Sequence, residues 1–352
     1  MDALTYWLHA NAEQLDSDAG LAEDVLPMLA GAQLLRIGVP AAQGGGGGDV
    51  RDAIAAIAAV AQHSLTAAFV FWGQRTFIEY LLQSPNGALA ERRLPALLEG
   101  RLAGATGLSN AMKFLSGIEQ LQICATPQAQ GWRLDGALQW LTNLRKAGFT
   151  AAAAVAPSDG APPAIIAFDS DCAGVVRGAD LDLIALRGSN TASVKLSAVA
   201  IGAADLIAAD ATTWLPAVRP SFLGMQCGMS IGLARASLAQ AAAISAGSRN
   251  QLTPRIEALR QTLEEHTATL MAGVHDGRFR SKAPAMFRLR IALADVVQQA
   301  LTLELQAMGG RAYLQQEQNG FARRWREAAF IPVVTPSLTQ LQAALQQLEG
   351  AA

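Results

Sequence analysis

The chain has 352 residues, 51% hydrophobic and 16% charged, with a formal net charge of -2. That length is too great for one ordinary core and predicts two or three domains, while the near-neutral balance leaves no basic footprint for nucleic acid. Cys124, Cys172 and Cys227 lie far apart without CxxC spacing, no apolar run is long enough for a bilayer, and the start has Asp2 and no basic stretch; a cytoplasmic protein without disulfide framework, zinc site, membrane span or secretory leader is expected.

Residues 1–100 read as helical. Leu21, Val25, Leu26 and Leu29 recur at helical spacing, and Ile54, Ile57 and Val60 do the same. Between them, Gly38-Val39-Pro40 leads into the glycine run Gly44 to Gly48, which lacks GxGxxG and Walker spacing and reads as a flexible loop. His63 reads as a helix-surface or packed histidine rather than a base.

From Arg101 the period shortens. Residues 103–108, 120–126, 150–156 and 164–168 are short runs separated by Gly, Pro, Asn and Asp, as in a small antiparallel β-domain reaching about residue 211. Within it stands Gly131 to Asn143, GWRLDGALQWLTN. Trp132 and Leu134 start a strand, Asp135-Gly136 reads as a turn, and a second short strand runs into Trp140 and Thr142. Residues two apart on a strand face the same way, so this pair can lay an indole against a flat ring and offer a hydroxyl to its edge. A hairpin with a core tryptophan is the other reading.

The helical period returns at Thr212. Phe222 to Ala246 is an alanine-rich helix, and Arg255 to Ala272 another, whose Glu257, Glu264, Glu265 and His266 read as a solvated face or, at most, a metal candidate. The paired glycines Gly309 and Gly310 after a helix allow close backbone approach and offer amide donors to phosphate. Arg326 and Glu327 read as a helix-end ion pair.

These segments resemble, in order and along nearly the whole chain, the acyl-CoA dehydrogenase superfamily. The resemblance rests on Gly131 to Asn143, on Gly38-Val39-Pro40 with Gly44, Gly45 and Asp49, on Arg187-Gly188-Ser189-Asn190-Thr191, on Gly232 to Ala236, and on Gln306-Ala307-Met308-Gly309-Gly310. It implies a mainly α fold with a middle β-domain: an α-helical N-terminal domain (1–100), an antiparallel β-barrel or sandwich (101–211) and a C-terminal four-helix bundle (212–352). It also implies FAD. In the family's pattern Trp140 packs on the isoalloxazine, with Leu141 beside it and Thr142 near flavin N5; Leu108 supplies backbone contacts and Ser109 stands for a threonine at the pyrimidine edge. Gln306, Gly309 and Gly310 would wrap the pyrophosphate of a neighbouring subunit's FAD, which implies a homodimer or homotetramer. Of the arginine-phenylalanine pair that reaches FAD across that interface, Arg249 alone is present. The Arg187 to Thr191 segment is taken as support for the β-domain.

Two substrate motifs depart from the family. Ala111 to Gly117 replaces the Ala-Gly-Ser-Asp loop that contributes to acyl-CoA binding, leaving Lys113 as a surface lysine or a contact for an anion. The glutamate that takes the α-proton is absent: counting from Arg326 puts Thr335 at its position, counting back from Gln340 puts Pro336 there, and residues 217–220 offer no carboxylate either. The expected function is thus an FAD-dependent oxidoreductase on a small-molecule substrate such as a CoA thioester or a related acyl compound, with the base relocated or the substrate altered. A flavin monooxygenase of the same fold and a catalytically silent flavin-binding subunit are the alternatives.

Overall fold

A computed structural model describes residues 2–115, 117–246, 250–314 and 320–350. The chain opens with helices α1 (Asp2–Ser17), α2 (Ala22–Gly31), α3 (Val50–Ala61), α4 (Leu65–Leu82) and α5 (Gly87–Leu98). Strand β1 (Ala103–Thr106) and the short α6 (Ser109–Leu115) lead into β2 (Ile123–Gln128), β3 (Gly131–Leu141), β4 (Phe149–Pro157), β5 (Ala164–Asp169), β6 (Val175–Asp180), β7 (Ala192–Ile201) and β8 (Leu206–Ala208). Helices α7 (Ala211–Ser245), α8 (Thr253–His275), α9 (Arg278–Ser281), α10 (Ala283–Met308), α11 (Phe321–Phe330) and α12 (Leu338–Gly350) complete it.

Helix α4 is the hub. All its residues but Leu82 are buried, so it has no solvated stripe and packs on every side, against α3, α5, α7 and β1. Its polar side chains serve the chain around it. Arg75 pairs with Glu79 at 2.9 Å and donates to the carbonyls of Ile37 and Gly38, and Gln74 accepts from Gly104 N while donating to Leu97 O and Leu102 O. The glycine run is therefore ordered and not a flexible loop: Val39 bridges Gly47, and Asp49 with Asp52 forms a capping box that starts α3.

The sheet runs β6-β7-β3-β2-β4-β5-β8, with β1 also paired to β4. It is mixed, which corrects the antiparallel expectation: β4 lies parallel to both β1 and β2. Runs of short apolar residues cannot report this, because parallel and antiparallel partners bury the same side chains. The hairpin turn expected at Asp135-Gly136 is also corrected. β3 is one strand, turned at residues 129–130, and Asp135-Gly136 forms a bulge in its pairing with β7. Asp135 accepts there from Ala198 N at 2.8 Å, and a side chain at Gly136, whose φ is +147°, would strike Gln122 O.

In the C-terminal part α10 packs on α7, α8 and α12. α7 begins eleven residues before Phe222 and carries Pro216 and Pro220 inside it. None of the described helices is long and apolar enough to cross a membrane.

Candidate active site

A cleft of about 490 Å³ opens between the ends of β1 and β3, the segment before β7, and helices α4, α7 and α11. That volume falls within the usual range for a small-molecule or cofactor site. Its walls differ.

The strand-side wall is built on strained backbone. Among the described residues six non-glycines have positive φ, and four of them, Trp140 (63°), Asn143 (62°), Leu186 (60°) and Asn190 (51°), cluster here. Asparagine tolerates that region; a tryptophan or leucine there is a true outlier, and such outliers persist where surrounding structure over-determines them. Asn143 is held by bonds to Gln74 Oε1 and Gly104 O, both 2.9 Å, and Asn190 donates to Ala22 O. The turn at Trp140 breaks strand alternation, which corrects the simple same-face expectation. The indole is left 65% exposed, while Thr142, two residues on, is buried; both still border the cleft.

Thr142 heads a chain of hydroxyls. Its Oγ1 lies 2.8 Å from Thr191 Oγ1, which lies 2.7 Å from Ser189 Oγ. Ser189 is fully buried, and its hydroxyl meets only Thr191 among the described residues. All protons are satisfied when Ser189 donates to Thr191, Thr191 to Thr142, and Thr142 into the cleft. The reverse order buries an orphan proton at a cost of about 1–3 kcal/mol. Thr142 therefore presents a donor. Nearby, the Thr106 hydroxyl meets Tyr80 at 2.8 Å, and burial pushes the Tyr80 phenol up so that it stays protonated.

The helix-side wall is aromatic. Phe69 stacks on Trp72 (5.6 Å between centroids), Phe330 meets Phe69 edge-on (4.5 Å) and Phe222 meets Trp72 likewise (5.3 Å). Thr335 also stands on the cleft, accepting from Ser109 Oγ at 3.0 Å. Behind it Arg290, fully buried, donates to Ile331 O (2.6 Å) and to Gln226 (2.9 Å), and Gln226 donates to Thr335 O (3.0 Å). One arginine thus fixes both ends of residues 331–335, although burial without a carboxylate pulls its pKa down.

No Asp or Glu lines this cleft among the described residues. Its two cations are both engaged. Lys113 lies 3.2 Å from Glu119, and Arg326 binds buried Asp16 at 2.7 Å. Asp16 also accepts from Leu186 N at 3.0 Å, so it latches the helix side to the strand side. This corrects the expected pairing of Arg326 with Glu327. Adjacent helical residues diverge, and buried Glu327 instead takes Arg323 at 2.8 Å and Leu65 N at 3.0 Å, burial raising its pKa against the pull of Arg323.

Of the positions expected from the sequence, Ser109, Trp140, Thr142 and Thr335 meet on this cleft. Leu108 and Leu141 neighbour it, but their side chains are buried in the core. Pro336 follows Thr335 without lining the cleft. Gln306, Gly309 and Gly310 lie elsewhere, Gln306 accepting from Arg255 at 3.0 Å. Arg249 lies outside the described residues. Glu264 pairs with Arg235 at 2.6 Å, and no group of metal-ligating side chains occurs among the described residues. His63 is packed, its ring 5.5 Å from that of His9.

No protein-family model matches the chain, and no curated protein matches it. Solved structures do. KijD3, solved with FMN and dTDP-3-amino-2,3,6-trideoxy-4-keto-3-methyl-D-glucose, is 20% identical with a TM-score of 0.82, over 100% of this chain and 92% of its own. Butyryl-CoA dehydrogenase of Megasphaera elsdenii is 19% identical (TM-score 0.77; 99% of this chain, 97% of its own). Dibenzothiophene monooxygenase of Paenibacillus sp. A11-2 is 17% identical (0.77; 97% and 93%). The chain has the acyl-CoA dehydrogenase fold.

Proposed function

We propose that this chain is a flavin-dependent oxidoreductase of the oxygen-using kind, and not a dehydrogenase that removes an α-proton with a carboxylate. The observation that carries this reading is the cleft wall itself, which offers an exposed indole and a hydroxyl but, among the described residues, no Asp or Glu. The fit to a flavin rests on this chain's own residues. Trp140 offers a flat face held outward by its left-handed backbone, Thr142 offers a directed donor beside it, and Ser109 a further hydroxyl. When bound, a flavin supplies two-electron redox chemistry, to a substrate or to molecular oxygen. The protein's part is to orient the ring, through Trp140 and Thr142, and to exclude water with the aromatic helix side. A general base must reach the proton it takes, and Thr335 at the expected base position is a hydroxyl already bonded to Ser109.

FAD is the proposed form of the flavin. Gln306, Gly309 and Gly310 lie off this cleft, as they would if they served the cofactor of a second copy in a homodimer or homotetramer. The neighbours of this fold include a butyryl-CoA dehydrogenase and a dibenzothiophene monooxygenase, so the fold is compatible with both reactions. Titration of the purified protein with FAD and FMN tests the reading. One flavin should bind per chain, FAD more tightly, and oxygen uptake with NADH and a flavin reductase should depend on added substrate. A protein that takes up neither flavin overturns it.

A further inference from the structure

The chemistry of the helix-side wall narrows the substrate. Phe69, Trp72, Phe222 and Phe330 form one ring cluster across α4, α7 and α11, each bordering the cleft, and Val334 continues the apolar surface. Aromatic pairs in edge and stacked contact leave ring faces and edges that match a further flat ring. Charge points the same way. An anionic substrate needs a free cation, but the Lys113 ammonium is held by Glu119, and the Arg326 guanidinium by Asp16 with Glu13 a further 3.5 Å contact. A cationic substrate needs a carboxylate on the wall, and among the described residues there is none. An ion placed here would be desolvated without a partner, or would have to share a cation whose charge is already balanced by a carboxylate.

We infer that the substrate is an uncharged, flat, largely apolar molecule, bound by its ring against Phe69, Trp72, Phe222 and Phe330. This rests on the flavin reading for the reaction, but its recognition chemistry stands on the wall alone. Polar decoration is limited to what the hydroxyls and the Gln340 amide can meet, and most of those hydroxyls already bond one another.

The test is equilibrium binding to the flavin-loaded protein, read by perturbation of the flavin visible spectrum, with 2-naphthol, 2-naphthoate, 1-naphthylmethylamine and octanoyl-CoA as probes. The neutral 2-naphthol should bind about tenfold or more tightly than either charged naphthalene, and octanoyl-CoA should compete with it poorly. Phe222→Leu, which keeps an apolar side chain without the flat face, should weaken 2-naphthol about fivefold and leave flavin affinity unchanged. Naphthoate or octanoyl-CoA binding as tightly as naphthol, or unaltered naphthol affinity in Phe222→Leu, would overturn the inference. Naphthol binding to the flavin-free protein, followed by quenching of tryptophan fluorescence, separates the two proposals. A protein that binds naphthol but no flavin refutes the flavin reading and upholds this one; one that binds flavin but no naphthol does the opposite.

Discussion

The two sides of the cleft are built by opposite means. On the strand side, backbone strain and a chain of hydroxyls bring polar and aromatic groups to the opening: Trp140 stands exposed, and Thr142 borders the cleft at the end of that chain. On the helix side, charge is paired off. Of the three arginines of α11, Arg323 pairs with Glu327, Arg324 with Glu304, and Arg326, the one that borders the cleft, with Asp16, so that rings and neutral groups make up most of this wall. The difference teaches where specificity for a cofactor and for a substrate can each reside. A ring with hydrogen-bonding edges suits the first side, and a neutral hydrophobic ring suits the second.

The largest effect should come from breaking the latch that joins the two sides. Arg326→Met leaves the fully buried Asp16 carboxylate with Leu186 N but without its cation. The cost should be about 3 kcal/mol, the low end for a broken buried pair because the guanidinium is itself part-exposed. Denaturant unfolding measures it, and an unchanged midpoint would show that Asp16 does not bear the joint. Next is the strand side. Trp140→Ala removes a stacking face, and by analogy with aromatic–base stacking should weaken flavin binding by about 1–3 kcal/mol, roughly five- to 150-fold. Fluorescence titration reads this; full affinity in the variant would sink the stacking role.

A smaller change sharpens the role of the hydroxyl chain. Thr142→Val should lower flavin affinity about fivefold, whereas Thr142→Ser, which keeps the donor, should retain it; equal loss in both would mean that the methyl group matters and the proton does not. The smallest effect concerns the foot of the helix side. His63 is half-buried, and burial first, then His9 and Arg323, hold its pKa below the ordinary 6.5. The folded state thus binds fewer protons than the unfolded one in that range. The stability contributed by neutral His63 is present above pH 6.5 and is lost as pH falls through the lowered value. Thermal unfolding between pH 7.5 and 5 should show this loss, and His63→Gln should flatten it; identical pH dependence in the two proteins would rule the histidine out.

The strand side was largely legible in the sequence. Trp140, Thr142 and Ser109 sit in short local motifs, and the resemblance placed them together. What those motifs could not give was the direction of Trp140, because the turn there is held where Asn143 meets Gln74 and Gly104 of other elements. Ser189 and Thr191 were legible only as sheet support, since their role comes from a contact with Thr142 across 49 residues. The helix side was nearly invisible. Its rings come from α4, α7 and α11, and Asp16 reaches Arg326 across 310 residues. A signal did exist: Leu65 to Leu82 is apolar on every face yet holds Gln74, Arg75 and Glu79, the mark of a central helix with polar duties. The mixed sheet escaped for the reason already given, that local pattern carries no strand direction.

Anaerobic mixing of the flavin-loaded protein with octanoyl-CoA tests the central claim most directly, followed at the oxidised flavin band with dithionite added last. Removing a positioned base costs a factor of roughly 10²–10⁴ in rate, so the band should persist through the thioester addition and bleach only with dithionite. Rapid bleaching by octanoyl-CoA would contradict the central claim, because a group able to take the α-proton would then have to face a cleft on which no carboxylate stands among the described residues.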